Sequence, residues 1–264
     1  MQVLRQRTDG YAFRCGHCRR KRCLRTGSMF VGSKLSLQTL LLICYKFFEG
    51  VRANRCAASV GVSRNTAMEW YSICRGACSH ALLSVVTRIG GPGVEVQIDE
   101  TLISRRKYHK GRPRRQLWVI GMYDTRRRKA LLEQVNNRSW QTLRPVIVKW
   151  VVAGSVVVTD EWKGYVCLPS KGYTHYTVNH SRVFVNPTTD RRTNAVEAYW
   201  SRLKRKLQEF GPVCDREVWA HLDEVQYCLC FDLRADNMAA SWETFLRHWA
   251  EAYPIKESQP TEIG

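Results

Sequence analysis

The stretch Val156-Val-Val-Thr-Asp-Glu-Trp-Lys-Gly-Tyr165 runs three β-branched apolar residues straight into two acids, in a chain whose formal net charge is +19 at pH 7. A strand that ends on two like charges, with no turn residue between, calls for something cationic to meet them. Asp99 and Glu100 follow Val94-Glu-Val-Gln-Ile98 in the same way, after a run that alternates apolar and polar residues. Two acidic strand ends could share a metal, and a cluster holding two divalent ions needs a third acid. Thr193-Asn-Ala-Val-Glu-Ala-Tyr-Trp-Ser-Arg-Leu-Lys-Arg-Lys-Leu207 offers one. Val196, Tyr199, Trp200, Leu203 and Leu207 form an apolar helical stripe there, and Glu197, Ser201, Lys204 and Gln208 form the opposite one. Glu197 and Lys204 lie two turns apart and point the same way. The carboxylate could reach a metal while the ammonium grips a phosphate of the same nucleic acid. Taken singly, Glu197 reads as an ordinary surface acid of an amphipathic helix.

The elements that must position these acids are legible. Gln116-Leu-Trp-Val-Ile-Gly-Met-Tyr123 and Lys129-Ala-Leu-Leu-Glu-Gln-Val135 read as second and third strands. Residues 139 to 152 read as a helix with Ser139 as N-cap, stopped by Gly154 before a strand over Ser155–Thr159. That last strand is continuously apolar, as for one covered on both faces. Strand, helix and doubly buried strand imply a parallel pair, whose carboxyl ends are where chemistry collects. Asp99 and Asp160 are therefore expected at strand ends in one sheet. Between the first two strands, Arg105, Arg106, Lys107, Lys110, Arg112, Arg114 and Arg115 place seven basic residues in eleven positions with a Gly and a Pro. So many like charges repel one another unless they meet phosphate, which predicts a DNA-contacting loop.

Forty-two Lys and Arg against 23 Asp and Glu favour a polyanionic partner, with nucleic acid the first choice and an anionic membrane surface the rival. No stretch approaches a spanning helix and MQVLRQRTDG has no signal-peptide core, so the chain reads as soluble and intracellular. Eleven cysteines, an odd number set mostly in apolar patterns, read as reduced. Residues 52 to 70 have the form of a helix-turn-helix. Ala57 and Ala58 allow close crossing, Gly61 makes the turn, and Ser63 caps a second helix that presents Arg64 and Asn65 to a groove. The plain alternative is an αα-hairpin. Cys15-Gly-His-Cys18 forms one knuckle of a zinc ribbon, two of the four ligands a structural Zn2+ needs; the expectation is a half ribbon left by a truncated N-terminus. The division that follows is a partial ribbon over 1–33, a helix-turn-helix region over 34–90, a catalytic domain over 91–252 and a tail over 253–264. The boundary of the catalytic domain is set at Gly90-Gly-Pro-Gly93, the strongest punctuation in the sequence.

Sixty residues separate Asp99 from Asp160 and 36 separate Asp160 from Glu197, a spacing that resembles the D,D(about 35)E arrangement of ribonuclease-H-like transposases and integrases. Ile98-Asp-Glu-Thr101, Lys110-Gly-Arg112, Trp118-Val-Ile-Gly121, Thr159-Asp-Glu-Trp-Lys-Gly-Tyr165, Val178-Asn-His-Ser181 and Thr193-Asn-Ala-Val-Glu197 with Trp200 and Leu203-Lys204 resemble the ISXO2-like transposase domain of IS1595, IS1016 and Merlin elements. The resemblance extends from about residue 11 to 230, because Cys15–Cys18 and Arg25-Thr-Gly-Ser28 resemble the end of that family's zinc ribbon. It implies an α/β fold, with a ribonuclease-H-like mixed sheet flanked by helices, and a DDE transposase that cleaves and joins DNA at terminal inverted repeats. It implies Asp99, Asp160 and Glu197 as ligands of two Mg2+ ions, with Mn2+ as substitute. Relatives differ in the third ligand, some using Asn at a nearby position, so Asn194 stays an alternative, although it also suits a helix N-cap. Double-stranded DNA is the implied partner and a homodimer or larger assembly the implied active form. A nucleus is the implied location in a eukaryotic host, and the nucleoid otherwise. Arg192 stands where many relatives carry His. A transposase-derived DNA-binding regulator that no longer catalyses is the competing class.

Overall fold

The computed structural model describes residues 2–6, 9–85, 87–103, 117–162, 165–178, 193–209, 218–233 and 235–256. The chain divides into two compact units, Met1–Ser84 with Asp232–Gly264, and Val85–Phe231. The first boundary thus falls ahead of the Gly-Pro-Gly turn. The segment from Asp232 joins the N-terminal unit, not the catalytic domain expected over 91–252 or the tail over 253–264.

In the first unit, strands β1 (Gln2–Gln6), β2 (Gly10–Arg14) and β3 (Lys21–Cys23) form an antiparallel sheet in that order. Helix α1 (Leu37–Phe48) begins where Ser36 Oγ accepts from the Thr39 amide at 3.1 Å, and buries Leu40, Ile43, Cys44 and Phe47 at helical spacing. Helix α2 (Ala53–Val60) stops at Gly61, whose φ of +73° is left-handed, and Ser63 Oγ accepts from the Thr66 amide at 3.1 Å to start α3 (Arg64–Val85). The last helix described, Met238–Ala252, belongs to this unit because its aromatic stripe packs here. Phe245 lies 6.0 Å from Phe47 and Trp249 stacks at 6.5 Å on Phe30. An amphipathic helix shows in sequence that it needs an apolar partner, but not which one, and this accounts for the misplaced boundary.

A buried ion pair joins the segments around this three-stranded sheet to the start of α1. Asp9 Oδ1 accepts from Arg25 Nη2 at 2.6 Å and from the Leu37 amide at 3.0 Å, while Arg25 Nη1 donates to the Ser33 carbonyl at 2.7 Å. The Arg25 guanidinium holds the Asp9 carboxyl below its usual range. A carboxylate with a depressed folded pKa contributes stability above its unfolded value, about 3.9, and loses it as pH falls through the folded value. Asp9→Ala should therefore cost about 3 kcal/mol at pH 7. In urea unfolding followed by circular dichroism, the gap to wild type should narrow only below about pH 4.

In the second unit the strands are β4 (Ile89–Gly90), β5 (Glu95–Leu102), β6 (Trp118–Asp124), β7 (Lys129–Val135), β8 (Val151–Val152), β9 (Val156–Asp160) and β10 (Thr174–Val178). The helices are α4 (Trp140–Trp150), α5 (Asn194–Glu209) and α6 (Val218–Cys230); the Met238–Ala252 helix is α7. The main sheet has the order β10-β9-β5-β6-β7. The pairs β5–β6 and β6–β7 are antiparallel, whereas β5–β9 and β9–β10 are parallel. The strand before α4, β7, is thus not a neighbour of β9, whose parallel partners are β5 and β10, and the whole is a mixed sheet. Side chains alternate between its faces. Val96, Ile98, Ile120, Met122 and Val157 pack with Leu143, Val146 and Ile147 of α4 on one side. Val119 and Tyr123 pack with Val196, Tyr199, Trp200 and Leu203 of α5 and Leu222 and Val225 of α6 on the other. Among the described residues no helix is long and apolar enough to cross a membrane.

Candidate active site

The ladder between β5 and β9 runs Glu95↔Val156, Val96↔Val157 and Gln97↔Val158. Two residues further in the same register, Asp99 comes level with Asp160, and the period of two gives both the face of Gln97 and Val158. One expectation is corrected. Asp160 ends β9, but Asp99 lies within β5, which continues to Leu102 because β6 goes on pairing with it from Asp99↔Gly121 to Leu102↔Trp118. The parallel ladder ends at Gln97↔Val158, two residues before the aspartates.

Glu197 is brought to the same face by a side chain of β5. Gln97 Oε1 accepts from the amides of Ala195 and Val196 at 3.0 and 3.1 Å, so the first turn of α5 is held two residues from Asp99. Asn194 is the first helical residue and not the cap; Thr193 precedes it, its carbonyl accepting from the Glu197 amide at 3.2 Å. Thr193 Oγ1 donates to Glu197 Oε1 at 2.9 Å. Trp200, one turn on, lies over Gly121, where a Cβ would come within 2.4 Å of the indole. Gln97→Leu would leave two helix amides without their acceptor. We expect it to cost about 1–3 kcal/mol in chemical denaturation and to lower activity beyond what lost folding explains.

Asp160 is engaged from its other side. Its Oδ1 accepts from the Trp162 amide at 3.1 Å, and Oδ2 lies 3.5 Å from Arg138 Nη2. Arg138 is bonded more firmly to Glu100, with Nε and Nη2 both 2.9 Å from Oε2. Glu100 points to the α4 side of the sheet. Burial pushes its carboxyl up to about 7, with Arg138 opposing and the charges of Asp160 and Asp99 adding to the rise. Among the described residues no three His, Cys, Asp or Glu side chains are gathered closely enough to hold a metal. The donor set nonetheless suits a hard divalent cation. It consists of carboxylate oxygens, and Asp99 and Asp160 both lie near enough for their charges to act on Glu100.

Residues 90–227, more than half of the chain, match the family model of the ISXO2-like transposase domain. The chain belongs to the ISXO2-like transposase family. An uncharacterized transposase-like protein of Haemophilus influenzae is 29% identical over 93 residues, 35% of this chain and 74% of that protein. Two solved structures share less. A chain of the simian T-cell lymphotropic virus intasome in complex with PP2A regulatory subunit B56 gamma is 16% identical, with 84% of this chain and 80% of that one covered at a TM-score of 0.35. The catalytic core domain of BIV integrase is 13% identical, with 58% and 93% covered at 0.36. TM-scores this low carry no inference.

Other residues expected at the transposase site fall in several places. Lys204 is exposed on α5 beside Arg202, Arg205 and Lys206, so the outer surface of that helix is basic. Arg64 and Asn65 are exposed at the start of α3, in the other unit. The loop residues Arg105, Arg106, Lys107, Lys110, Arg112, Arg114 and Arg115, and the Asn179-His-Ser181 segment, lie outside the described residues. Cys15 and Cys18 are exposed thiols on the turn after β2, and the amides of Cys18 and His17 lower the Cys15 pKa. Among the described residues no third His, Cys, Asp or Glu is gathered with them to hold a metal ion.

Sequence reasoning does not identify the helix-capping role of Gln97, the packing role of Gly121 or the pairing of Glu100 with Arg138. A signal existed for Glu100, which occupies the next inward position after Val96 and Ile98, where a carboxyl needs a partner. Arg138, in Asn136-Asn-Arg-Ser139, reads only as a loop residue.

Proposed function

We propose that the Val85–Phe231 unit is a ribonuclease-H-like DDE transposase domain that cleaves DNA at transposon ends and joins them to target DNA. One observation carries this reading: Asp99 and Asp160 level on neighbouring parallel strands, with the Glu197 helix pinned to the same face through Gln97. The order β10-β9-β5-β6-β7, three antiparallel strands extended by two parallel ones, supports the fold assignment.

Asp99, Asp160 and Glu197 would hold two Mg2+ or Mn2+ ions, with Asn194 the alternative third ligand. Such ions supply activation of water or a 3'-hydroxyl for in-line attack and stabilise the leaving oxygen. The protein's part is positional. Gln97 fixes the start of α5, Thr193 orients the Glu197 carboxylate, and the Trp162 amide holds Asp160. Lys204 and its basic neighbours on α5 offer the backbone phosphates a cationic surface. Arg64 and Asn65 would read DNA from α3, and the 105–115 loop would add phosphate contacts. Joining two ends favours at least a dimer.

The rival is a transposase-derived DNA-binding protein without catalysis, and the contacts of Asp160 with Arg138 and Trp162 give it some footing. Purified protein on terminal-repeat DNA with Mg2+ or Mn2+ separates the two. If the wild type binds yet neither nicks nor joins the DNA, the enzyme reading fails.

A further inference from the structure

We infer that Arg138 is a DNA-phosphate contact of the active centre, held ready by Glu100, Trp118 and Trp162. The inference rests on the transposase reading of the same site. Arg138 lies just before α4, and its Nε and Nη2 both meet Glu100 Oε2 at 2.9 Å. Its guanidinium carbon stands 5.4 Å from the ring centres of both Trp118 and Trp162. The contacts with both carboxylates are made through Nε and Nη2.

The exposure of the pair is unequal. The Glu100 side chain is 0% exposed, whereas that of Arg138 is 34% exposed. The exposed part of the guanidinium keeps its hydration and stays accessible to a ligand from solvent. Here one edge of the planar group is anchored and the remainder opens beside Asp160. The 3.5 Å separation from Asp160 Oδ2 exceeds the roughly 2.7–2.9 Å of a charge-assisted hydrogen bond. Asp160 is thus a neighbour of the guanidinium and not its clamp. A phosphate in reach of Asp160 is also in reach of Arg138. Flanking indoles and a fixed edge remove most of the rotamer freedom that a surface lysine would lose on meeting an anion.

The test uses the full chain. Binding of a fluorescein-labelled nicked duplex is followed by anisotropy across a salt series in EDTA, and nicking of supercoiled plasmid is followed in Mn2+. The proteins compared are wild type, Arg138→Gln, Arg138→Lys, Glu100→Gln and Asp160→Ala. We expect Arg138→Gln to reduce the slope of log K against log [salt] by about 1, and Arg138→Lys to restore it while recovering only part of the nicking rate. Glu100→Gln, which loosens the anchor, should raise KM for plasmid. A wild-type salt slope and KM in Arg138→Gln, with any lost activity matched by a lower Tm, would make Arg138 a structural pin and overturn the inference. Were Arg138→Gln to misfold, a wild-type salt slope and KM in the well-folded double variant Glu100→Gln/Arg138→Gln, which leaves no unpaired buried carboxylate, would overturn it equally. If Asp160→Ala nicks as fast as wild type, the transposase reading fails, while the salt slope still decides whether Arg138 meets phosphate.

Discussion

Asp160→Ala should leave binding to terminal-repeat DNA within about twofold and lower Mg2+-dependent cleavage by about 10^3-fold. The asymmetry follows from where charge is needed. Binding is governed by a chain of net charge +19, in which one fewer carboxylate, if anything, reduces repulsion of the phosphates. In the proposed reading, cleavage depends on the carboxylates of Asp99 and Asp160, which follow the last paired residues of the β5–β9 ladder in the same register. Loss of metal-held charge stabilisation costs several kcal/mol, each 1.36 kcal/mol being about tenfold in rate. Asp160 also receives the Trp162 amide and neighbours Arg138, so Asp160→Asn is the gentler companion. It keeps an acceptor for the amide and should be equally inactive. Gel-resolved nicking and strand transfer over a metal titration provide the measurement; cleavage within tenfold of wild type in Asp160→Asn would remove Asp160 from the ligand set.

Gly121→Ala should be damaging out of proportion to one methyl group. The added Cβ would lie 2.4 Å from Trp200 Cζ2 and 3.0 Å from Cη2, on a rigid ring buried at 3% exposure. The indole cannot yield as a flexible side chain would, so α5 must shift or β6 must bend, at a cost of about 1–3 kcal/mol. Because α5 carries Glu197 one turn before Trp200, and Gly121 pairs with Asp99, that shift is transmitted to both acids. We expect a drop of more than about tenfold in cleavage at temperatures where the protein remains folded, since small misplacements of reacting groups are costly. Trp200→Leu in the Gly121→Ala background should recover part of the loss, giving a coupling energy of about 0.5–3 kcal/mol by double-mutant cycle. Simple additivity of the two changes would disconnect the close packing from the site.

Much of the strand framework could be read directly. Lys129–Val135 was bounded as observed, and Ser155–Thr159 was displaced by one residue, because alternation and β-branching report local burial. The extent of β5 was not legible: Asp99-Glu100-Thr101-Leu102 mixes charge with apolar residues, and only the antiparallel partner β6 keeps it extended. The return of α7 to the N-terminal unit was hidden for a similar reason, its partners Phe30 and Phe47 lying two hundred residues or so upstream.

By itself the sequence determined the family, the acid spacing, the basic excess and the helical stripe that carries Glu197, since residue type and local period encode these. Tertiary structure decided what supports the acids. Gln97 caps a helix 98 residues away, Gly121 admits Trp200, and Arg138 stands between Glu100 and Asp160 under two indoles. Each of these depends on strand register and face, which fix the neighbours of a side chain across long sequence separations and leave no trace in the residues immediately around it.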